Sequence, residues 1–599
     1  MDRGDGSRHK TFTRRAALLA GGKLSLAAVL IGRMYYLQVL ESDQYQMLAE
    51  ENRISMRLLA PPRGLVMDRF GRELASNRQN YRVVLIAEQT NGVAETLDRL
   101  ARVIPITPHQ RRRVLREVMR KRPFVPVKVA ENLTWEQFAR INVLLPDLPG
   151  VQPDVGEGRH YPVGLETAHI VGYVSSVSEA DLTGDPLLEL PGFRIGKNGI
   201  EKIFDETLRG KAGNSRVEVN AYGREIRELA RQDGQPGDDV VLTIDADLQE
   251  KISRRLADES AAAVVMDIHQ GEILAMVSAP SYDPNAFNLG MSTKAWRALV
   301  QHPRKPLINK AIAGQYPPGS TFKIVTLAAA LEAGGFDPSD RISCPAEWDG
   351  LGEDAIKTNW KEEDRGLITL TQALAESCNT VFYELAVSLH NQDEELLPAF
   401  AAGFGFGQAT GIVGVGEEPG VASGPEWKRR NRNDFWFTGD TVNMSIGQGF
   451  LAVTPLQIAN AYAAIATDGI LITPLVVNST RTSDGAIVHE FSAEPTGVLP
   501  VSADTLADLQ AATRAVISTR LGTGWPIFNG SPLLAAGKSG STDDSAEQVH
   551  ALFVAYANTN DPQLLVTVVL DEGESGADDA GPIARQVLER SVQAGWVAN

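Results

Sequence analysis

Cysteine and histidine are scarce in this chain of 599 residues, which has two cysteines, Cys344 and Cys378, and nine histidines. Exported domains that lack a large core depend on several disulfides, and two cysteines cannot supply such a framework. Clusters of His and Cys at the spacing of metal ligands are also missing. The sequence therefore excludes a disulfide-rich scaffold and gives no sign of a metal centre.

A surplus of positive charge is missing as well, because the formal net charge is −17 at pH 7. A surface that binds nucleic acid has to be basic in order to neutralise phosphates, so no nucleic acid is predicted as a partner. The N-terminal tail differs from the rest of the chain. It carries five basic side chains, namely Arg3, Arg8, Lys10, Arg14 and Arg15. A basic tail of this kind stays on the cytoplasmic side when a membrane segment follows it.

Apolar residues dominate residues 16–40, AALLAGGKLSLAAVLIGRMYYLQVL. About 20 such residues cross a bilayer, the tyrosines suit its interface, and no small-x-small cleavage site follows. We predict a cytoplasmic tail over residues 1–15, a transmembrane anchor over 16–40 and export of the remaining chain. A cleaved signal peptide is one alternative, and the Arg14-Arg15 pair leaves a twin-arginine export signal as another.

The exported part is too long for one ordinary domain, and the sequence GQPGD at residues 234–238 is typical of a linker. Before it, short turn clusters separate alternating pieces such as YRVVLIAE and one basic helical stretch, HQRRRVLREVMRKR. After it, hairpins are predicted around residues 269–271 and around NTNDP at residues 558–562, with a helix-rich region between them. This order predicts an α+β domain on an antiparallel sheet over residues 235–599, after a different domain over 41–234.

A serine and a lysine three residues apart stand out in YPPGSTFKIVTL, residues 316–327. Pro-Pro-Gly cannot continue a helix, whereas the sequence from Ser320 to Gly334 favours one, so Ser320 is predicted to cap and open a helix. Residues at i and i+3 share a helix face, which brings Ser320 and Lys323 together. Apolar surroundings lower the pKa of a lysine, and a neutral lysine can take the proton of a serine nucleophile. The amides at the helix start could hold an oxyanion.

The Ser-x-x-Lys pattern is weak alone, and it recurs without meaning at Ser7 to Lys10 in the charged tail. Two further motifs give it weight: SCN at residues 377–379 within QALAESCNTVFYELA, and KSG at 538–540 within PLLAAGKSGST. Their order and wide spacing match the signature of serine acyl enzymes with a lysine base. The motifs of competing chemistries, G-x-S-x-G, H-E-x-x-H and the Walker loop, are missing.

Over nearly its whole length the chain resembles the class B penicillin-binding proteins, in particular the branch that acts in cell elongation. The stretches that carry the resemblance before residue 235 are LLAPPRGLVMDRFGRELASN, GRHYPVG and GKNGIEKIFDETLRGKAG. After residue 235 they are YPPGSTFK, GDTVNMSIGQGFLAVTPLQIANAYAAIA and GKSGST. The resemblance implies a transmembrane helix, a non-catalytic pedestal (dimerisation) domain over 41–234, and a transpeptidase domain over 235–599. The latter is expected to have a five-stranded antiparallel sheet with helices on both sides.

The resemblance also implies a role for each motif residue in a peptidoglycan D,D-transpeptidase. Ser320 is expected to attack the D-Ala-D-Ala amide of a stem peptide, with Lys323 as its base. Ser377 is expected to relay the proton to the leaving amine, and Asn379 to hold the substrate amide.

The third motif is expected to bind substrate. Lys538 and Ser539 are assigned to the substrate carboxylate, with Gly540 and Ser541 beside them. The backbone N–H groups of Ser320 and Ser541 are expected to form the oxyanion hole.

The resemblance implies no cofactor. Some members of the family bind zinc near the active site, but residues 344–365 contain no histidine, so no metal is predicted. Cys378 lies between two motif residues, where it is expected simply to pack, and whether it pairs with Cys344 is left open.

The implied location is the inner membrane, with a single pass and the catalytic domain in the periplasm. The implied partners are peptidoglycan stem peptides, β-lactams, and a glycosyltransferase of the SEDS family within the elongation machinery. Lys23 and Arg33 interrupt the anchor and lie about 80° apart around a helix. We hypothesise that Lys23 faces this glycosyltransferase; snorkelling toward the headgroups is the alternative.

Three other functions are compatible with the same motifs. They are a division-specific transpeptidase, a β-lactam-acylated sensor or β-lactamase, and a scaffold without turnover. A β-lactamase needs a base that positions a hydrolytic water, and no residue beyond the three motifs indicates one. A scaffold is expected to lose at least one motif residue, and all are present.

Overall fold

The computed structural model describes residues 5–36, 54–190, 192–220, 225–543 and 548–596. The chain divides into two compact units, Met1–Pro61 with Lys211–Gln235, and Pro62–Gly210 with Pro236–Asn599. The second unit contains most of the predicted pedestal as well as nearly all of the predicted transpeptidase domain. The change of unit at Gln235 coincides with the predicted linker, while the four-part domain division stays a prediction.

A long helix, Asp5–Tyr35, begins the first unit. Its segment Ala16–Tyr35 is long and apolar enough to cross a membrane, and apolar side chains such as Leu18 and Leu24 are exposed. Such a surface is unfavourable in water and stable in lipid, which fits the predicted anchor. Residues 37–40 of that prediction lie outside the described part of the chain.

The first unit also contains a three-stranded antiparallel sheet. Its strands, in spatial order, are Ile54–Leu59, Gly213–Val219 and Glu225–Gln232. The central strand, Gly213–Val219, therefore pairs with Ile54–Leu59, which precedes residues 62–210 in the chain. It also pairs with Glu225–Gln232, the next strand after it.

A seven-stranded sheet in the second unit joins chain segments from both sides of the predicted domain boundary. Asp239–Leu242, within the predicted strand DVVLTID, pairs in parallel with Val66–Met67 and antiparallel with Val477–Arg481. The other strands of this sheet are Glu73–Leu85, Val127–Leu133, Val151–His160 and Ile487–Glu490. Because these pairings cross residue 234, residues 62–210 share a unit with the catalytic sheet described next.

A five-stranded antiparallel sheet forms the centre of the predicted transpeptidase domain, as expected. Its strands are β1 (Ala261–Asp267), β2 (Ile273–Ala279), β3 (Ala535–Asp543), β4 (Val549–Ala557) and β5 (Leu564–Leu570). They lie in the order β2-β1-β5-β4-β3, so that β3 is at one edge. The pairs β1–β2 and β4–β5 are the two hairpins that the sequence predicts.

Helices cover both faces of this sheet. Every residue of β2 and of β5 is buried, which requires packing on both sides because successive side chains point to opposite faces. Pro455–Ala466 packs against β1 and β5, and Gly581–Gln593 packs against β4 and β5. The predicted fold class is therefore confirmed.

Further α-helices and two-stranded pairs complete the fold of the described residues. The α-helices not yet given are Val93–Leu100, Pro108–Arg120, Trp135–Val143, Gly164–Val171, Gly199–Ile203, Asp205–Arg209, Ala246–Arg255, Asn285–Leu289, Thr293–Val300, Lys310–Ala313, Lys323–Glu332, Leu370–Glu376, Asn379–Gln392, Leu396–Gly403, Pro425–Arg432, Thr438–Ser445, Ala503–Ser518 and Trp525–Phe528. The two-stranded pairs are Val174–Ser176 with Arg194–Gly196, Arg341–Ser343 with Leu367–Thr369, Glu347–Trp348 with Lys357–Thr358, and Ile470–Ile472 with Pro495–Val498.

A buried ion cluster around Glu201 holds the pedestal part of the second unit together. Glu201 is completely buried and accepts hydrogen bonds from Arg159 Nε at 2.6 Å and from Arg63 Nε at 2.7 Å. The Tyr161 hydroxyl donates to the same carboxylate at 3.3 Å. Burial alone would raise the pKa of Glu201, but the two guanidinium groups outweigh it and lower the pKa.

We expect Glu201→Gln to destabilise this unit by about 3–5 kcal/mol, because it leaves two buried guanidinium groups without their shared carboxylate. The measurement is the unfolding temperature of the purified chain. Glu206→Gln is the matched control, since the Glu206 side chain is 92% exposed. Equal unfolding temperatures for the two variants would contradict a structural role for the cluster.

Candidate active site

Ser320 lies in a 3-10 turn, Gly319–Phe322, that runs directly into helix α1 (Lys323–Glu332). The prediction that Ser320 opens a helix is therefore correct in position, but its capping role is wrong, because no side chain caps either element. Groups other than the Ser320 side chain form the hydrogen bonds of the turn. The Thr321 hydroxyl donates to Pro318 O at 2.6 Å, and Gly319 N–H donates to Gly447 O at 3.0 Å. The Ser320 hydroxyl is thus left for chemistry.

Two glycines allow this turn to pack tightly. Gly319 has a φ of 53°, in the left-handed region that favours glycine. A Cβ atom on Gly447 would lie 2.1 Å from the carbonyl oxygen of Gly319. The stretch SIGQG therefore packs directly against the turn that carries Ser320. This close contact is a physical reason for the glycine at position 447.

Lys323 is the central group of the site and is fully buried. Its Nζ donates hydrogen bonds to the Ser377 carbonyl oxygen at 2.8 Å and to Asn379 Oδ1 at 2.6 Å. The Ser377 hydroxyl lies 3.2 Å from the same nitrogen. The first and second motifs therefore meet through one amine.

Burial lowers the pKa of Lys323 well below its usual value, and the charge of Lys538 lowers it further. A neutral amine has two N–H donors and one lone pair. The two carbonyl-type acceptors use the donors, so the lone pair can accept a proton from a hydroxyl group. This is the state that a general base requires.

The second motif lies where two helices meet. Helix α2 (Leu370–Glu376) ends at Ser377, which has a left-handed backbone with φ 56° and ψ 38°. A position of this kind usually holds glycine, and another residue there carries strain of about 1–3 kcal/mol. Helix α3 begins at Asn379, whose N–H donates to Asn359 Oδ1 at 2.9 Å. The strained turn is thus held on both sides.

Cys344 and Cys378 form a disulfide, with their Cα atoms 6.4 Å apart. The pairing that the sequence left open is therefore present, and Cys378 is buried but does more than pack. Strand pairing of Arg341–Ser343 with Leu367–Thr369 brings Cys344 close to the segment that enters α2. That pairing is a long-range contact and has no local signal in the sequence. The disulfide fixes the residue between Ser377 and Asn379.

The third motif lies on the edge strand β3. Lys538 Nζ donates to the Ser377 hydroxyl at 3.0 Å and to the Ser539 carbonyl oxygen at 2.8 Å. Burial lowers the pKa of Lys538 to about 7. The Ser539 hydroxyl donates to Thr523 Oγ1 at 2.8 Å.

Glycine allows β3 to approach the serine turn. A Cβ atom on Gly540 would lie 3.0 Å from Thr321 Cγ2 and 3.1 Å from the Pro318 carbonyl oxygen. The Ser541 hydroxyl accepts a hydrogen bond from Gly576 N–H at 2.9 Å. The structure thus brings all the predicted site residues into one region.

A cavity of about 160 Å³ opens between the three motifs. It is lined by Ser320, Trp360, Ser377, Asn379, Ile446, Gln448, Thr523, Ser539, Ser541, Ser575 and Ala577. Lys323 and Lys538 lie behind this lining, fully buried.

Sequence reasoning missed several residues of the cavity wall. Ile446 and Gln448 lie within GDTVNMSIGQGFLAVTPLQIANAYAAIA, which resembles the family, so this resemblance could have indicated them. Trp360, Thr523 and Ser575 come from loops without a motif, and only the fold brings them here. Their placement could not be read from spacing along the chain.

This arrangement is typical of a serine enzyme in which a buried lysine can act as the base. The Ser320 hydroxyl lines a cavity, the Lys323 amine with its lowered pKa lies one helical turn further along the chain, and a second lysine shares the Ser377 hydroxyl with it. The chemistry that it can perform is acyl transfer through a serine ester.

The comparisons with known proteins agree with this class. The family descriptions that match are "Penicillin binding protein transpeptidase domain" over residues 261–589 and "Penicillin-binding Protein dimerisation domain" over residues 58–242. The chain belongs to the class B penicillin-binding proteins. The peptidoglycan D,D-transpeptidase MrdA of Escherichia coli strain K12 is 35% identical over 598 residues, 96% of this chain and 94% of the relative.

Solved structures of relatives have the same fold. The penicillin-binding protein PBP2 of Helicobacter pylori, solved in complex with MreC, has a TM-score of 0.80 and 26% identity. The match covers 91% of this chain and all of that one. A chain of a peptidoglycan synthase complex that coordinates polymerisation and crosslinking has a TM-score of 0.70 and 29% identity, over 98% of this chain and 99% of that one.

Removal of the disulfide is expected to affect both stability and the site. It closes a loop with a sequence separation of 34 residues, for which loop-closure entropy predicts a loss of about 3–4 kcal/mol in the Cys344→Ser/Cys378→Ser variant. We also expect acylation by a fluorescent penicillin to slow at least about tenfold, because Ser377 and Asn379 position Lys323.

The measurements are the unfolding temperature and the second-order rate of acylation. Dithiothreitol is the control, since it should slow the wild-type protein and leave the double variant unchanged. An acylation rate that is the same with and without the disulfide would show that the hydrogen bonds alone hold the second motif.

Proposed function

We propose that the protein is a peptidoglycan D,D-transpeptidase that crosslinks stem peptides during cell-wall elongation. The observation that carries the proposal is the set of hydrogen bonds from buried Lys323 to Ser377 and Asn379, one helical turn from Ser320. These bonds bring a hydroxyl, an amine with a lowered pKa and a side-chain amide together at one cavity, which supports the roles of nucleophile, base and substrate ligand. The printed name of the Escherichia coli relative supports the same activity.

In the first half of the reaction Ser320 Oγ attacks the carbonyl carbon between the two D-Ala residues. Its proton passes to the lone pair of Lys323, and the oxyanion that forms is held by the N–H groups of Ser320 and Ser541. Ser377 contacts both lysines, so its hydroxyl can pass a proton on to the leaving amine. The C–N bond breaks, the terminal D-Ala leaves, and the stem peptide stays on Ser320 as an ester.

In the second half an amine of a neighbouring stem peptide attacks this ester. Lys323 takes a proton from the attacking amine and returns one to Ser320 Oγ as the ester bond breaks. Lys538 and Ser539 bind the substrate carboxylate in the first half, with the charge of protonated Lys538 as the attraction. The product is a new peptide crosslink and the free enzyme.

The N-terminal helix supports a location in the inner membrane, with the catalytic part in the periplasm. The partners that fit this location are a SEDS-family glycosyltransferase and other proteins of the elongation machinery. Relatives solved with MreC and within a peptidoglycan synthase complex support assembly with partners of this kind. Lys23 in the membrane segment remains the residue through which we propose contact with the glycosyltransferase.

A β-lactam should form a stable covalent adduct on Ser320 and on no other residue. Mass spectrometry of the intact protein and of its peptides measures the adduct and its lifetime. Ser320→Ala should give none, and Ser7→Ala, which removes the second Ser-x-x-Lys match, should react like the wild type. An adduct on the Ser320→Ala protein would end this assignment.

The two lysines should affect the pH profile of acylation in opposite directions. Lys323 acts when neutral, so activity is lost as the pH falls through its lowered pKa. Lys538 acts as a cation, so activity is lost as the pH rises through about 7. Each substitution by Ala should slow acylation by about 10²-fold or more.

The measurement is kcat/KM for a β-lactam that carries a carboxylate, from pH 5 to pH 10. Lys538→Ala should remove the alkaline decline near pH 7 and leave the acid decline in place. Lys323→Ala that reacts at the wild-type rate would mean that another group is the base.

A further inference from the structure

A group of aromatic and cationic side chains lies near the catalytic cavity; Arg432, Phe435 and Phe437 are exposed, Trp427 and Phe450 are half-buried, and Lys428 is buried. Helix Pro425–Arg432 and the loop that follows it supply most of them. Phe435 and Phe437 are 77% and 57% exposed and lie two residues apart, so they form one local apolar patch. We call this group the Arg–Phe surface, and it consists of Trp427, Lys428, Arg432, Phe435, Phe437 and Phe450.

Contacts between rings and cations join its members. The rings of Trp427 and Phe450 have centroids 5.4 Å apart. The Arg432 guanidinium lies 5.4 Å from the centroid of Phe450, and Lys428 Nζ lies 5.0 Å from that of Phe437. Lys428 and Arg432 are four residues apart, so they share one face of the helix.

Arg432 is the cation of this surface that has no acidic partner in the described part of the chain. Lys428 pairs with Asp434 at 3.2 Å and with Asp440 at 2.8 Å. Arg430 pairs with Glu426. Among the described residues no carboxylate oxygen lies within 4 Å of Arg432, which is exposed. In a chain with a net charge of −17, Arg432 is thus available for an anionic ligand.

Chain segments connect the Arg–Phe surface directly to the cavity wall. Phe450 follows Gln448, which lines the cavity, by two residues. Phe437 and Ile446 flank opposite ends of helix Thr438–Ser445, and Ile446 also lines the cavity. A helix of eight residues is about 12 Å long, so about that length of helix separates Phe437 from Ile446.

We propose that the Arg–Phe surface binds the glycan strand that carries the donor stem peptide, an inference that rests on the proposed function. Four residues separate the sugar from the amide that Ser320 attacks, and in extended form they span at most about 14 Å. This length is comparable to the helix of about 12 Å that separates Phe437 from Ile446 in the cavity wall. Sugar rings pack their C–H faces on exposed aromatic rings, and Arg432 pairs with a carboxylate of the stem peptide.

The test compares two soluble ligands. They are uncrosslinked glycan strands with pentapeptide stems, and the isolated pentapeptide. The full chain in detergent, with Ser320→Ala to prevent turnover, is titrated with each. Strands should bind at least about tenfold more tightly than the pentapeptide, and Arg432→Ala or Phe437→Ala should reduce this advantage by about five- to tenfold. Arg430→Ala is the matched control, because Arg430 already has a carboxylate partner and should have no effect.

Acylation of the same variants by a penicillin, in proteins that retain Ser320, separates the two hypotheses. Failure of every protein to react would overturn the proposed function itself. Normal acylation combined with equal strand affinity in Arg432→Ala and its parent would overturn only the glycan site. In that case the Arg–Phe surface would have to serve a protein partner or a lipid surface instead.

Discussion

The active site depends on two buried lysine amines that share one hydroxyl group. Lys323 and Lys538 lie 3.2 Å and 3.0 Å from Ser377 Oγ, and neither side chain reaches solvent. Two ammonium groups in such a place would be desolvated and would repel each other, so the fold favours a state with at most one of them charged. The proposed roles of one lysine as a base and the other as a cation follow from this constraint, because the lysine with the lower pKa loses its proton first.

Much of the surrounding structure serves to keep that hydroxyl in place. Ser377 has a backbone conformation that is costly for any residue except glycine. The disulfide at Cys378 fixes its neighbour, and the Lys323 amine holds its carbonyl group. Glycines at positions 447 and 540 then let the serine turn and the edge strand approach the same point from two other directions.

Local patterns in the sequence predicted a large part of this arrangement. The hairpins β1–β2 and β4–β5 follow from alternation and turn residues, and the three motifs follow from residue types that only acyl-enzyme chemistry combines. The disulfide, the Thr523 contact and the pairing of Asp239–Leu242 with Val66–Met67 could not be predicted in this way. Each of these contacts joins segments that are not neighbours in the chain. A cysteine or a short strand carries no local signal that identifies its partner. The capping role predicted for Ser320 was wrong for a related reason. The carbonyl oxygens of Gly447 and Pro318 accept the hydrogen bonds of this turn, and Gly447 is distant in the chain.

The pairing of Asp239–Leu242 has a consequence for how the catalytic part can be isolated. This strand lies between Val66–Met67 and Val477–Arg481 in the seven-stranded sheet. A fragment that starts at residue 235 would keep the second neighbour and lose the first. Its backbone N–H and C=O groups on that side would then face solvent, as an open strand edge able to pair with another molecule. A fragment that keeps Val66–Met67 together with its own partner, Glu73–Leu85, does not create this edge. The shortest self-contained catalytic body therefore begins inside the sequence that resembles the pedestal.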